Sequence, residues 1–244
     1  MAVEIGDRAT PIETIFLDAG GVLVWPNWTR VSRALHLHGV AVSPEQLAAA
    51  DPLARLALDR AEVIAASTDQ RRGWTYFDLV LTHAGVPLSE HTAAALDGLQ
   101  EYHRNENLWE TVPDFVVPAL RQLRTAGYRL VVMSNANGRL HHAFTRLGLA
   151  PLVDIIVDSA VEGVEKPDRR FFELGLTRSG AQAESTVHVG DLYHVDVTGA
   201  RAAGLKAILV DEGDLRPDVD CPRIRSIAAL PGFLASSEIL NSEF

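Results

Sequence analysis

The chain has 244 residues, of which 47% are apolar and 22% charged, the balance of a globular protein with a sizeable core rather than a disordered chain. Its 22 basic and 32 acidic residues leave a formal charge of -10, a field that disfavours nucleic acid and anionic membrane surfaces as partners. The single cysteine, Cys221, rules out an internal disulfide framework and fits a reducing compartment. The opening MAVEIGDRATPIET carries no basic segment followed by an apolar run, and no apolar stretch reaches the ~18 residues of a membrane span. The expectation is a cytoplasmic protein.

Ile12 to Leu17 reads as a short buried strand that stops at Asp18-Ala19-Gly20-Gly21, where paired glycines permit a tight turn. Trp25-Pro26-Asn27-Trp28 breaks the apolar character that follows. From about Thr29 to Asn107 the texture is helical. Val31, Leu35 and His38 share one helical face. Ser43 caps a helix entered through Pro44, Tyr76 to Leu81 mark a third helix ending near Gly85, and Ser89 precedes a fourth.

After Pro113 the pattern changes to short apolar strands alternating with helices. Phe115 to Arg124 is helical, and Arg129 to Met133 is a strand ending at Ser134-Asn135. Leu140 to Leu147 is helical, Val153 to Val157 a strand, and Arg169 to Leu176 a helix. Thr186 to Val189 is a strand ending at Gly190-Asp191, Val195 to Ala203 a helix, and Lys206 to Val210 a strand. The tail after Leu230 is weakly specified. This alternation implies an α/β fold, a Rossmann-like, mostly parallel sheet with helices on both faces. An all-helical domain is inserted after the first strand. The expected division is residues 1–23 and 113–244 for the core and 24–112 for the helical insertion.

Three strands end in polar residues, at Asp18, Ser134-Asn135 and Asp191. Ligands of open parallel sheets bind outside the carboxyl ends of the strands, so these residues are expected to meet in one crevice. The 22 basic residues include only two lysines, Lys166 and Lys206. A chain that writes nearly every cation as arginine marks its lysines, because the two present different geometry.

These segments resemble the four motifs of the haloacid dehalogenase-like hydrolase superfamily. The first appears as Phe16-Leu17-Asp18-Ala19-Gly20-Gly21-Val22 and the second as Val132-Met133-Ser134-Asn135. The third is Glu165-Lys166-Pro167-Asp168, and the fourth runs from Val189-Gly190-Asp191 to Asp196. The insertion resembles the helical cap that follows motif one in one large branch. The resemblance implies a phosphohydrolase acting on a small phosphorylated metabolite, with Asp18 as nucleophile through an aspartyl-phosphate. It implies Mg²⁺ held by the Asp18 carboxylate, the Gly20 carbonyl and Asp191, with Asp196 supporting the metal. Ser134 would bind phosphoryl oxygens, Lys166 would neutralise developing charge, and Asn135 would shape that loop or touch substrate.

The sequence departs from that pattern at Gly20, where phosphatases of the group usually carry a second aspartate that protonates the leaving oxygen. A glycine cannot transfer a proton, and such assistance is typically worth about 10²–10⁴-fold. Candidate replacements are His194, beside the fourth motif, and His36, His103 and Glu106 from the cap. Leu108, Trp109, Trp25 and Trp28 lie where the chain crosses between cap and core, as interdomain packing or substrate-facing residues. A phosphonate hydrolase is rejected because residues 24–112 contain no lysine for a Schiff base. Two alternatives stay open: a non-catalytic ligand- or protein-binding member, and a 2-haloacid dehalogenase, against which Asp191 and Gly20 both argue.

Overall fold

The computed structural model describes residues 10–65 and 69–236. Its centre is the strand β1, Thr14–Leu17, whose four residues are all buried. A strand covered on both faces needs apolar residues at every position, which is why β1 reads as a run rather than an alternation. Parallel partners flank it on either side: β4 (Arg129–Ser134) and β6 (Thr186–Gly190). With β5 (Ile155–Asp158), β7 (Lys206–Val210) and β8 (Arg223–Ile224), they form a six-stranded sheet of order β5-β4-β1-β6-β7-β8, parallel throughout. The chain runs outward from β1 on one side, then returns to build the other. The carboxyl ends of β4, β1 and β6 therefore lie side by side at the switch point.

Helices cover both faces. Ile15 and Leu17 pack with α6 (Val116–Thr125), α7 (Leu140–Arg146) and α11 (Leu230–Ala235). Phe16, one residue out of phase, packs on the opposite face with Phe171 and Phe172 of α9 (Arg169–Ser179) and Ala200 of α10 (Thr198–Ala202). The short helix α8 (Ser159–Glu162) follows β5.

The helical cap region has its own core. It contains α1 (Trp28–Leu37), α2 (Pro44–Leu58), α3 (Ala61–Ala65), α4 (Asp69–His83) and α5 (Glu90–Glu106). Val31, Leu35, Leu47, Phe77, Val80 and Leu96 meet in its apolar interior. The α2 start is a reciprocal cap, with Gln46 N–H donating to Ser43 Oγ and Ser43 N–H to the Gln46 side chain. The two crossings between cap and core are tied together, because β2 (Trp25–Pro26) pairs antiparallel with β3 (Trp109–Thr111). Among the described residues no helix is long and apolar enough to cross a membrane.

Several local expectations are corrected. His38 is exposed beyond the end of α1 rather than on its buried face. The two-residue strands β2 and β8 are too short to carry a periodic signal. Residues 193–197 form a π-helical turn ahead of α10, because the Asp196 carboxylate turns back to accept the Leu192 N–H at 3.0 Å.

Candidate active site

Asp18 is the first residue past β1, and its backbone N–H donates to Val189 O at 2.9 Å. That bond extends the sheet by one step and fixes where the carboxylate points. Lys166 comes from the loop before α9 and is 1% exposed. Its ammonium lies 2.9 Å from Asp18 Oδ1 and 2.6 Å from Asp196 Oδ1. The loop is pinned by Asn135, whose amide oxygen accepts Lys166 N–H at 2.8 Å while its amide nitrogen donates to Lys166 O at 3.0 Å. Both ends of Asn135 are committed to the backbone of the lysine. Ser134 is buried at the end of β4 and lines the same cavity.

Asp18, Asp191 and Asp196 each bring one carboxylate oxygen within 4.8 Å of the others. Two glycines make this packing feasible. A Cβ on Gly190 would collide with the Asp196 carboxylate, and one on Gly21 would sit 2.5 Å from Asp191 Oδ2. Gly21 also has φ of 68°, open to glycine. Gly20 does not have a positive φ. A Cβ there would meet Trp109 at 3.4 Å from Nε1 and 3.5 Å from Cδ1.

Three carboxylates served by Lys166 and by an Arg55 shared with Asp51 and Glu212 are short of positive charge. Burial raises Asp18, only partly offset by Lys166, and the Asp196 charge raises it further. Burial pushes Asp191 up to about 8, against the pull of Arg55. Burial would raise Asp196 too, but Lys166 and the His188 contact outweigh it and hold the group well below the usual carboxylate range. Burial lowers Lys166, but Asp18 and Asp196 overcome it and hold the lysine charged. His188, fully buried on β6, contacts Asp196 Oδ1 through Nε2 at 2.9 Å; burial lowers its pKa and favours the neutral ring. Asp18 Oδ1 pairs with Lys166 by distance but makes no well-directed hydrogen bond. Hard oxygen donors, a buried carboxylate oxygen without a directed partner, and excess negative charge are what a divalent cation relieves, so the residues fit Mg²⁺.

Sequence reasoning missed Arg55. It reaches from α2 to Asp191 Oδ2 at 3.3 Å while its guanidinium fork grips Asp51 at 3.0 and 3.1 Å and Glu212 at 2.6 Å. Tyr76 completes the group by donating to Asp51 at 2.7 Å. A signal was present: Leu47, Ala50, Asp51, Ala54, Arg55 and Leu58 form the buried stripe of α2. Two charges on an apolar helical face must find partners. Asp59, just past α2, was also missed. Its carboxylate accepts the N–H groups of Tyr193 and His194 at 2.6 and 2.9 Å and pairs with Arg216 at 2.9 Å.

Of the four replacements considered for the missing acid, only His103 lines the cavity. His194 places its Nδ1 3.2 Å from Asp59, at a cap–core junction. Glu106 pairs with His142 and Arg146, and His36 is exposed on α1. The cavity has a volume of about 830 Å³ and is walled by core residues around Asp18 and by aromatic residues including Trp25, Trp74 and Trp109. Trp28 lies in the cap core, and Leu108 is fully buried there.

Residues 12–204 match the family described as haloacid dehalogenase-like hydrolase. A glyceraldehyde 3-phosphate phosphatase of Methanopyrus kandleri is 32% identical over 154 residues, 60% of this chain and 65% of that protein. The chain spans about half the length of the curated relatives it matches. A HAD-hydrolase of Bacillus subtilis, solved bound to magnesium, superposes with a TM-score of 0.67 at 19% identity, covering 92% of this chain and 99% of that one. An L-2-haloacid dehalogenase of Xanthobacter autotrophicus superposes with a TM-score of 0.60 at 16% identity, covering 92% and 99%. At those identities the likeness is one of fold.

Proposed function

This chain belongs to the haloacid dehalogenase-like hydrolase family, and on that premise we propose that it is a Mg²⁺-dependent phosphohydrolase of small phosphorylated metabolites that works through an aspartyl-phosphate on Asp18. The observation that carries the reading is the charge balance of the site. Asp18, Asp191 and Asp196 converge within 4.8 Å, with Lys166 on the first and third and Arg55, shared with Asp51 and Glu212, on the second. A dehalogenase attacking carbon has no need of such a hard-oxygen cluster. The relative named as a phosphatase supports the same chemistry.

In this reading Asp18 attacks phosphorus in line with the departing ester oxygen. Lys166, held by Asn135, orients Asp18 and offers its charge to the phosphoryl oxygens, while the Ser134 hydroxyl donates to one of them. Asp18, Asp191 and the Gly20 carbonyl would hold Mg²⁺, with Asp196 in support. The cation supplies the positive charge that lets an anionic nucleophile approach an anionic ester. Asp196 keeps Lys166 charged and in place. Water then displaces the Asp18 carboxylate from phosphorus, its proton ending on the released phosphate. Residues 1–23 and 113–244 form the core in this reading, with residues 24–112 as the cap that closes the cavity.

The test is release of phosphate from p-nitrophenyl phosphate with and without Mg²⁺, in the natural protein and in Asp18→Asn. Turnover that needs both Mg²⁺ and Asp18 is expected. A non-catalytic reading is favoured by Gly20, and it predicts Mg²⁺ binding without turnover. Metal-independent release of halide from a 2-haloacid would replace both.

A further inference from the structure

One wall of the cavity is aromatic. Trp109 packs edge-on to Phe77 and His103 at ring separations of 5.6 and 5.5 Å, and Trp74 lies 5.6 Å from Phe77 and 6.1 Å from His103. Trp74, Trp109 and His103 are each only partly buried and line the cavity. Next to Trp74 stands Gly73, inside α4 and also at the cavity wall. A helix interior disfavours glycine relative to alanine. A Cβ on Gly73 would meet nothing within 4 Å among the described residues, and φ there is not positive. Among the described residues neither crowding nor backbone conformation requires this glycine, which leaves open space at the cavity wall.

Trp109 is close to the chemistry. Its indole lies 3.4 Å from where a Gly20 side chain would begin, and Gly20 is two residues from Asp18.

We propose that the cavity selects phosphate monoesters whose ester oxygen sits on an aromatic ring, with Gly73 as the specificity-determining position that leaves space for that ring. The inference rests on the phosphohydrolase reading and names its substrate class. Aromatic side chains favour a flat, polarisable partner over an aliphatic one of equal size. The same class answers the lack of a carboxylate at position 20. As the Asp18–phosphorus bond forms, the phosphorus–oxygen bond breaks and its electron pair leaves on the aryl oxygen, where the ring delocalises it. That oxygen takes its proton from water afterwards, so no acid is needed in the step. His103 is held as an edge of this wall: Leu108 N–H donates to its Nδ1 at 3.2 Å, and the Asn137 amide nitrogen donates to its backbone carbonyl at 2.7 Å and faces its Nε2 at 3.4 Å.

Binding separates this inference from catalysis. Benzylphosphonate is the uncleavable isostere of phenyl phosphate, and cyclohexylmethylphosphonate has the same charge and a similar size without a flat ring. Their dissociation constants are measured calorimetrically with Mg²⁺ present, in the natural protein and in Gly73→Leu, with acetyl phosphate turnover measured alongside. Benzylphosphonate is expected to bind about tenfold more tightly than its saturated counterpart, and Gly73→Leu to erase that preference. Should Gly73→Leu fail to fold, Gly73→Ala provides the smaller step and is expected to weaken benzylphosphonate more than the saturated ligand. Equal binding of the two phosphonates overturns the inference, and with acetyl phosphate still hydrolysed it leaves the phosphohydrolase reading intact. A retained benzyl preference without acetyl phosphate turnover upholds the aromatic site and overturns the phosphohydrolase.

Discussion

Replacing Gly20 with aspartate would return a proton donor to the site, and the structure says how much room it would have. The position has no positive φ, so an L side chain is admissible there. The new Cβ would lie 3.4 and 3.5 Å from two Trp109 atoms, at the edge of contact, where each atom pair is worth only about 0.1–0.2 kcal/mol. The added carboxyl would begin beside Trp109, at a half-buried position two residues from Asp18, where the negative charge of the site favours its protonated form and suits it to act as an acid. General acid assistance is worth about 10²–10⁴-fold, or about 3–5 kcal/mol of barrier, and applies only where the leaving oxygen needs a proton. The assay is kcat/KM for benzyl phosphate and p-nitrophenyl phosphate with Mg²⁺. Both carry a ring, so recognition is nearly constant and the leaving group varies. Gly20→Asp is expected to raise benzyl phosphate turnover about 10²-fold or more and nitrophenyl turnover less than about tenfold. Equal gains on the two esters, in a variant that melts like its parent, would refute the reasoning. So would a natural protein that already cleaves benzyl phosphate as fast as the nitrophenyl ester.

Other outcomes follow from the charge network. Asp191 has a folded pKa of about 8, above its unfolded value, so the metal-free fold binds more protons than the unfolded chain between about pH 4 and pH 8 and loses stability as pH rises through that window. Asp191→Asn should flatten that fall in a metal-free thermal melt and also abolish the Tm increase produced by Mg²⁺; an undiminished Mg²⁺ response would remove Asp191 from the ligand set. Arg55→Ala leaves Asp51 buried with Tyr76 as its remaining hydrogen-bond partner, and breaking such a pair costs about 3–5 kcal/mol, or about 10 °C of Tm for a chain of this size. A shift under about 2 °C would mean that water replaces the guanidinium. Burial raises the Cys221 thiol to about 11, so iodoacetamide at pH 8 should alkylate it about a hundredfold more slowly than free cysteine. Rapid labelling of the native protein would show that this thiol is neither buried nor perturbed.

The sheet was largely legible because its central strands are short apolar runs that end in chemistry-bearing residues. Thr14–Leu17, Arg129–Ser134 and Thr186–Gly190 all follow that rule. The helices with strong local signals were readable too, above all α2 with its Ser43 cap and Pro44 start. What escaped depends on contacts between distant segments. The strand Trp25–Pro26 exists because Trp109–Thr111 lies beside it. The turn at residues 193–197 is shaped by the Asp196 carboxylate from within and by Asp59 from the cap. Neither partner of such a contact carries a periodicity that could announce the other.

The paired glycines of the first motif show the same division at the scale of one turn. In the sequence Gly20 and Gly21 are interchangeable signs of a tight bend. In the fold they serve different needs. Gly21 has a positive φ, and its missing side chain admits Asp191 and Arg55 to the same small volume, so any side chain there breaks the site. Gly20 is not required by its backbone, and its missing side chain faces Trp109, a residue 89 positions later that comes from the returning crossing of the cap. Sequence alone could say that a carboxylate was missing, but not what had taken its place. An indole beside an absent acid recasts the departure: the position without a proton donor borders the surface proposed to favour a leaving group able to do without one. The two substitutions can therefore be separated. Gly20→Asp should widen the range of leaving groups, and Gly73→Leu should remove the preference for a flat ring. If the two changes altered the same substrates in the same direction, the indole would be packing alone and the link between missing acid and aromatic wall would fail.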